Sequence, residues 1–265
     1  LTQLRIDYVS DLHLSYYIKA HSYGYDKTDM ERFIKENIEP KVNGDILVVA
    51  GDLSEFTKSA IKFLKLCSAY YDKVIYVAGN HEYYISRVLN SNMKEEYSNS
   101  SLNKLKEICT LANSTDKVVF LDRTNENNGI TNYNGFLIAG DTFWYLPKSI
   151  PGWYFYYMYS NDSRLILSDL SKKEKIQSLH LDSMKWYNNL PQDIDLIITH
   201  IPPINNPKKN NSCYFTDIDD FKANYWIYGH DHFEEDFEKD GTRFLSNPWG
   251  YNSKDFKIKT LTLRK

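Results

Sequence analysis

The sequence predicts an α/β fold in one domain spanning residues 1–265. Three observations carry that prediction. Five apolar runs, at 5–10, 45–50, 74–78, 195–199 and 225–228, are rich in β-branched and aromatic residues and read as buried strands. Stretches with helical spacing of apolar residues separate the first three runs, the pattern of a sheet with crossover helices. Each run ends on Asp, Asn or His, and the tips draw on positions 11 to 232, so a shared site would span nearly the whole chain. A length of 265 residues allows two domains, but a site drawn from both ends favours one.

Composition narrows the class. Apolar residues make up 42% of the chain, enough for a core, and the 22 Tyr give a high aromatic content. A formal charge of −3 provides no broad positive field for nucleic acid. Lys172-Lys173 and Lys208-Lys209 read as solvated pairs. Cys67, Cys109 and Cys213 are few, distant and odd in number, as expected in a reducing, cytoplasmic setting without structural disulfides. No apolar run of about 18 residues predicts a transmembrane helix. A strand starting near Leu4 leaves no room for a signal peptide, and an opening on Leu1 rather than Met suggests trimming.

The first strand leads into Asp11-Leu12-His13. Residues two apart in an extended segment share a side, so Asp11 and His13 are expected to face one ion. Residues 14–27 lack periodicity and read as a loop over the site, with His21 on the surface. Met30, Phe33, Ile34 and Ile38 mark an amphipathic helix over 28–38, stopped by Pro40 and Gly44. The second strand delivers Gly51-Asp52, a glycine that permits close backbone approach and a carboxylate able to bridge two cations. Ser54 is expected to cap the next helix, which carries Ile61, Phe63, Leu64, Cys67 and Tyr71.

The third strand ends on Asn80-His81-Glu82. An amide oxygen can bind a metal, an imidazole can hold or move a proton, and a carboxylate can orient that imidazole. Alone, the stretch reads equally as a polar strand tip. Residues 83–113 are expected to be helical with a break near 98–101, the earlier half serving as a lid. A strand at 117–121 and turns at 127–129 and 134–135 point to a β-meander ending at Gly140-Asp141. Residues 143–159 hold nine aromatics. They suit either a loop packing its own rings or an apolar wall that stacks on a substrate ring at the entrance. Helices are expected at 162–170 and 171–190.

The strand at 195–199 leads to His200 and a loop stiffened by Pro202-Pro203; residues 205–212 are polar. A short helix is expected at 218–223. The strand at 225–228 then delivers His230 and His232, and segments at 234–237, 243–246 and 256–263 read as a closing antiparallel meander.

Of the seven His, five stand in the strand tips. The candidate ligands are Asp11, His13, Asp52, Asn80, His200, His230 and His232, with no Cys among them. Imidazole with carboxylate suits Mn²⁺, Fe or Zn²⁺ better than a thiolate-seeking ion. Seven donors exceed what one tetrahedral zinc needs and divide naturally between two ions sharing a bridge.

The order Asp-x-His, Gly-Asp, Gly-Asn-His-Glu, His, Gly-His-x-His resembles the calcineurin-like metallophosphoesterases. The resemblance covers positions 11 to 232, with all five motifs in order. Segments 138–144, 161–164 and 243–251 further resemble a compact bacterial and bacteriophage branch. The resemblance implies a four-layer α/β/β/α sandwich of two mixed sheets, with a dinuclear site at the strand ends. It implies one ion held by Asp11, His13, Asp52 and His232, and another by Asp52, Asn80, His200 and His230. Manganese is the first choice, with iron, zinc or nickel as alternatives. His81 would be a non-ligand acid facing the leaving oxygen, Asn80 would help stabilise phosphoryl charge, and Glu82 would fix the His81 ring. Asp231 stands where threonine is commoner, and facing away from the two His it should matter little to metals.

The expected function is hydrolysis of a phosphoric monoester or diester, on a nucleotide or other small molecule, by a hydroxide activated between two metals. A nuclease acting on DNA or RNA is one alternative, disfavoured by the charge. A non-catalytic interaction module is another, disfavoured by the intact donor set.

Overall fold

In the computed structural model, which describes residues 2–18, 20–21, 24–25, 27–85, 100–205 and 214–265, the predicted strands and helices alternate largely as read. β1 (Gln3–Val9) is followed by a small ladder of β2 (Ala20–His21) and β3 (Gly24–Tyr25) and by α1 (Lys27–Asn37). β4 (Ile46–Ala50), α2 (Thr57–Cys67) and β5 (Lys73–Val77) complete the expected βαβαβ run. Then come α3 (Ser101–Ala112), β6 (Val118–Leu121), β7 (Ile130–Tyr133) and β8 (Phe136–Asp141). α4 (Ile150–Met158), α5 (Asp162–Leu165) and α6 (Lys172–Asn188) precede β9 (Ile194–Thr199) and β10 (Ala223–Tyr228). β11 (Glu235–Lys239), β12 (Thr242–Ser246) and β13 (Lys259–Arg264) close the chain.

The strands form two mixed sheets. One has the order β13-β1-β4-β5-β6, parallel except for β13; the other has the order β11-β12-β10-β9-β8-β7, with antiparallel strands at both edges. Alternate residues explain the layering. Ile6, Val48 and Ile75 point inward and meet Ile138, Leu196, Ile198 and Ile227 of the second sheet. Leu47, Val49, Val74 and Tyr76 point outward onto Phe33, Phe63, Leu64 and Ile108 of α1, α2 and α3. Ile197, Trp226 and Phe244 face Trp186 and Tyr187 of α6. The result is the α/β/β/α sandwich. Full burial of each such side chain contributes roughly 1.5–3 kcal/mol, so strands apolar on both faces can only sit between layers.

Pairing in register aligns the carboxyl ends. Val9 pairs with Val49, Ala50 with Val77, and Ile227 with Ile198. Asp11, Asp52, Asn80, His200 and His230 therefore leave the sheets at one edge.

Several local expectations fail, each for a tertiary reason. Ser54 does not cap α2; its Oγ accepts from Phe56 N at 3.1 Å, in the turn ahead of the helix. The helix expected at 162–170 stops at Leu165, because the next residues bond elsewhere: Ile85 N donates to Leu165 O and Ser101 N to Leu167 O. No helix forms at 218–223, where Ile218 N donates to Pro203 O and Lys222 N to the Tyr187 hydroxyl. Those amides are satisfied across the fold rather than four residues back. The closing meander is divided: β11 and β12 pair on the second sheet, whereas β13 crosses to β1. The residues after β1 form a 3-10 turn at Leu14–Tyr16. Residues 86–99, which hold most of the lid expected from residue 83 onward, residues 206–213 with Lys208, Lys209 and Cys213, and the His21 side chain lie outside the described residues. No described helix is long and apolar enough to cross a membrane.

Candidate metal centre

All seven candidate donors converge at the shared strand ends. His13 Nε2 lies 3.1 Å from His232 Nε2, and His232 Nε2 lies 3.3 Å from Asp11 Oδ1. On the other side, His200 Nε2 lies 3.0 Å and His230 Nδ1 3.2 Å from Asn80 Oδ1. Asp52 stands between the groups: Oδ1 is 3.3 Å from His200 Nε2 and Oδ2 is 3.7 Å from His13 Nε2. Asp11, Asp52 and His200 are almost wholly buried.

The backbone that brings them there is not extended, contrary to expectation. Asp11, His13, Asp52, His230 and His232 all have positive φ, between 42° and 75°. They are five of the ten described non-glycine residues with that conformation. Each costs of order 1–3 kcal/mol of local strain. Asp11 and His13 share a side because two left-handed residues turn the chain, with Asp11 N donating to Gly51 O and His13 N to Asp52 O. Asn80 is right-handed helical (φ −70°) and enters a 3-10 turn over His81–Tyr83, so strand alternation does not separate it from His81. Glycine is required beside Asp52: a Cβ on Gly79 would lie 2.1 Å from Asp52 Oδ1.

Hydrogen bonds orient the donors. Ala50 O accepts from His200 Nδ1 at 2.9 Å, which leaves Nε2 aimed inward. Asp11 accepts from the Ser10 hydroxyl at 2.5 Å and from His230 N at 3.0 and 3.1 Å.

The charges respond to this crowding. Burial pushes the Asp11 and Asp52 carboxyls up, but the surrounding imidazoles more than reverse it, leaving Asp11 below and Asp52 well below the ordinary value. Burial drives His13 down to about 4 and also depresses His230, which lies against His200. His200 is also buried, yet Asp52 lifts it to about 10. Two imidazole nitrogens 3.1 Å apart cannot both carry a proton, and a second pair, His200 Nε2 and His230 Nδ1, faces across 3.3 Å. Clustered imidazole nitrogens, buried carboxylates and an inward amide oxygen are what divalent cations require, so the residues fit such ions. The donors also fall into three groups of close ligand atoms: Asp11, His13 and His232; His13, Asp52 and His81; and Asp52, His200 and His230. The second group includes His81, so position alone admits His81 as a ligand.

Glu82 does not fix the His81 ring. Its buried carboxylate accepts from the backbone amides of Gly79, Asp52, Leu53 and Ser54 at 2.6–3.0 Å and ties two strand ends together. The ring partner is Glu55, whose Oε1 lies 3.2 Å from His81 Nδ1. Burial would lower the His81 pKa, but the charges of Asp52 and Glu55 raise it to about 9. Glu55 escaped notice in the sequence, although it stands three residues after Asp52 on the same loop. Asp162, within the segment 161–164, and Tyr84 were given no part in the site, yet both bond the Asn80 amide. Tyr251, at the end of the segment 243–251, was likewise given no site role; its ring stacks on His13 at 4.4 Å.

A cavity of about 370 Å³ opens onto Asp52, Asn80, His81, His230 and His232. Phe155, Tyr159, Tyr214 and Tyr251 form its aromatic side, and Asp231 also lines it rather than turning away. The aromatic segment is thus divided. Phe143, Trp144 and Tyr145 are fully buried, whereas Pro151 stands in the first turn of α4 and the helix carries Phe155 to the cavity. Neither Trp144 nor Trp153 lines the entrance.

A relative from Acanthamoeba polyphaga mimivirus, an uncharacterized protein, is 27% identical, the alignment covering 92% of this chain and 90% of the relative. The solved phosphopantetheinyl hydrolase from Mycobacterium tuberculosis superposes with a TM-score of 0.60 at 18% identity, over 93% of this chain and 89% of that one, and so shares the fold. The sequence model of calcineurin-like phosphoesterases matches residues 4–234. That family carries a dinuclear divalent metal site, and the His and Asp cluster at the strand ends lies where such a site would be. Because this match takes in most of its length, the chain belongs to the calcineurin-like phosphoesterase family and is a hydrolase of phosphoric esters.

Proposed function

We propose that the chain, acting as one domain, hydrolyses small phosphoric monoesters or diesters, nucleotides among them, at a centre of two divalent ions. Asp11, His13, Asp52 and His232 would hold one ion, and Asp52, Asn80, His200 and His230 the other. The observation carrying this reading is Asp52: its two oxygens face opposite groups of inward-pointing imidazoles. When bound, two such ions lower the pKa of water and neutralise charge on phosphoryl oxygens. Manganese is the first choice because the donors are carboxylate, amide and imidazole, with no thiolate among the described ones.

The chain's own groups supply the rest. His81, whose charged form is favoured by Asp52 and Glu55, donates a proton to the leaving oxygen. We assign it this part rather than a metal-binding one because the other seven donors already divide into two sets of four that share Asp52, which leaves His81 over. Glu55 holds the ring's orientation. Glu82 holds the loop that carries Asp52. Phe155, Tyr159 and Tyr251 offer ring faces to a base or other planar leaving group.

No Lys or Arg lines the described cavity, and the chain's charge is −3, so neither favours a nucleic-acid backbone. A reducing, cytoplasmic setting accords with cysteines that include the buried Cys67. The test is a Mn²⁺-supplemented panel of p-nitrophenyl phosphate, bis-p-nitrophenyl phosphate, cyclic nucleotides, a phosphopantetheinyl ester and single-stranded DNA. Turnover of the small esters supports the reading. Turnover of DNA alone would replace it with a nuclease, and no turnover on any arm with both ions bound would leave a binding module.

A further inference from the structure

Asp162 is a carboxylate with 1% exposure, and its side-chain oxygens accept hydrogen bonds from an amide and two phenolic hydroxyls. Its Oδ1 accepts from Asn80 Nδ2 at 2.9 Å and from the Tyr84 hydroxyl at 2.6 Å. Its Oδ2 accepts from the Tyr145 hydroxyl at 2.6 Å. Burying a carboxyl group away from water is costly. A protein that retains such a group gains something from its position.

The gain is legible in the Asn80 amide. An amide can present either end to the site, and the two ends have opposite chemistry. Both Asn80 Nδ2 hydrogens are taken, one by Asp162 and one by the Tyr84 oxygen at 2.7 Å. The only end left for His200 and His230 is the oxygen, which lies 3.0 and 3.2 Å from their ring nitrogens. Flipped, the amide would turn its N–H groups toward those rings and set its oxygen against the Asp162 carboxylate. Asp162 also reaches His230 indirectly, since the Tyr145 ring it holds stacks on that imidazole at 6.4 Å and 28°.

We infer that Asp162 is a positioning residue that, with Tyr84, locks the Asn80 amide with its oxygen toward the cation shared with His200 and His230. This rests on the proposed reading of Asn80 as a ligand. The arrangement supports one ion and not the other, because neither Asp11 nor His13 contacts this network among the described bonds.

The test is Mn²⁺ binding by the full chain, measured by titration calorimetry and by metal content after dialysis, with the melting temperature of each metal-free variant as a control for folding. Asp162→Leu should keep one ion at wild-type affinity and bind the second on the order of 10- to 100-fold more weakly, the usual scale for a residue that orients a ligand. Asp162→Asn should restore the second ion to within roughly 10-fold, the residual loss staying below that scale. Its carboxamide oxygen can take the Asn80 and Tyr84 bonds while its amide donates to Tyr145. Two ions at wild-type affinity in Asp162→Leu would overturn the inference. So would Asp162→Asn as weak as Asp162→Leu, since charge rather than orientation would then be at work. If Asp162→Leu does not fold, Tyr84→Phe carries the test: a weakened second ion supports the inference and unchanged affinity overturns it. Asn80→Ala separates the two layers. If it keeps both ions at full affinity, the ligand reading itself falls; if it loses one while Asp162→Leu does not, only the positioning role falls.

Discussion

His81 Nδ1 faces Glu55 Oε1 at 3.2 Å, although Glu82 is its neighbour in the chain. Glu82 is occupied by four backbone amides and Glu55 is free to turn toward the ring. The pairing, together with Asp52, keeps His81 charged at neutral pH despite burial.

His81→Ala should therefore retain both ions in metal analysis. Turnover of alkyl phosphates should drop by about 10²-fold or more, the scale of general acid catalysis. Loss on p-nitrophenyl esters should be smaller, because p-nitrophenolate departs without a proton. A missing ion in this variant would make His81 a ligand, and equal losses on both substrates would make it a phosphate-positioning group.

The same pairing sets a pH dependence in the metal-free protein. The folded pKa of about 9 lies above the ordinary 6.5. The charged ring thus stabilises the fold fully below about pH 6.5, and that contribution is lost as pH rises through about 9. Denaturant titrations of wild type and His81→Gln should differ by on the order of 2–3 kcal/mol near pH 6 and converge above pH 9. Glu55→Gln should shift the His81 imidazole titration downward by NMR; an unmoved titration would remove Glu55 from the pair.

Asp52→Ala should be the most damaging change among the metal-site residues, because the carboxylate faces both groups of imidazoles. Metal content should fall for both ions, and the variant's melting temperature should no longer respond to added Mn²⁺. Retention of either ion at wild-type affinity would rule out a bridge.

Glu82→Ala should act on stability first. It strips acceptors from four buried amides, at a cost of at least about 3 kcal/mol. Thermal melting of the metal-free protein reads this directly. Unchanged stability with lost activity would instead return Glu82 to the catalytic group.

Within the aromatic segment, Phe155→Ala and Tyr159→Ala should raise KM on nucleotides, since stacking contributes about 1–3 kcal/mol per base. Trp144→Ala should instead cost about 3–5 kcal/mol of stability, as expected of a fully buried ring. Nucleotide KM unmoved in both cavity variants would reduce that wall to packing.

The chain's order of strands and helices was legible because burial periodicity is local: each apolar run in the first 80 residues states its own faces. The chemistry of the strand tips was legible too, since Asp11, His13, Asp52, Asn80, His200, His230 and His232 differ in kind from ordinary loop residues. Their meeting at one edge follows from parallel pairing in register.

What the tertiary structure alone decided is partnership across the chain. Left-handed backbone at Asp11, His13, Asp52, His230 and His232 replaces the extended geometry that alternation suggests, the amides of Asp11 and His13 bonding to the loop after β4 and those of Asp52 and His230 to the buried carboxylates of Glu82 and Asp11. The 218–223 segment forgoes a helix for the same reason. Glu55, rather than Glu82, meets His81, and Asp162 meets Asn80 across 82 residues of chain. A side chain's type is written in the sequence, but its hydrogen-bond partner is chosen by whichever buried group the folded layers leave unsatisfied.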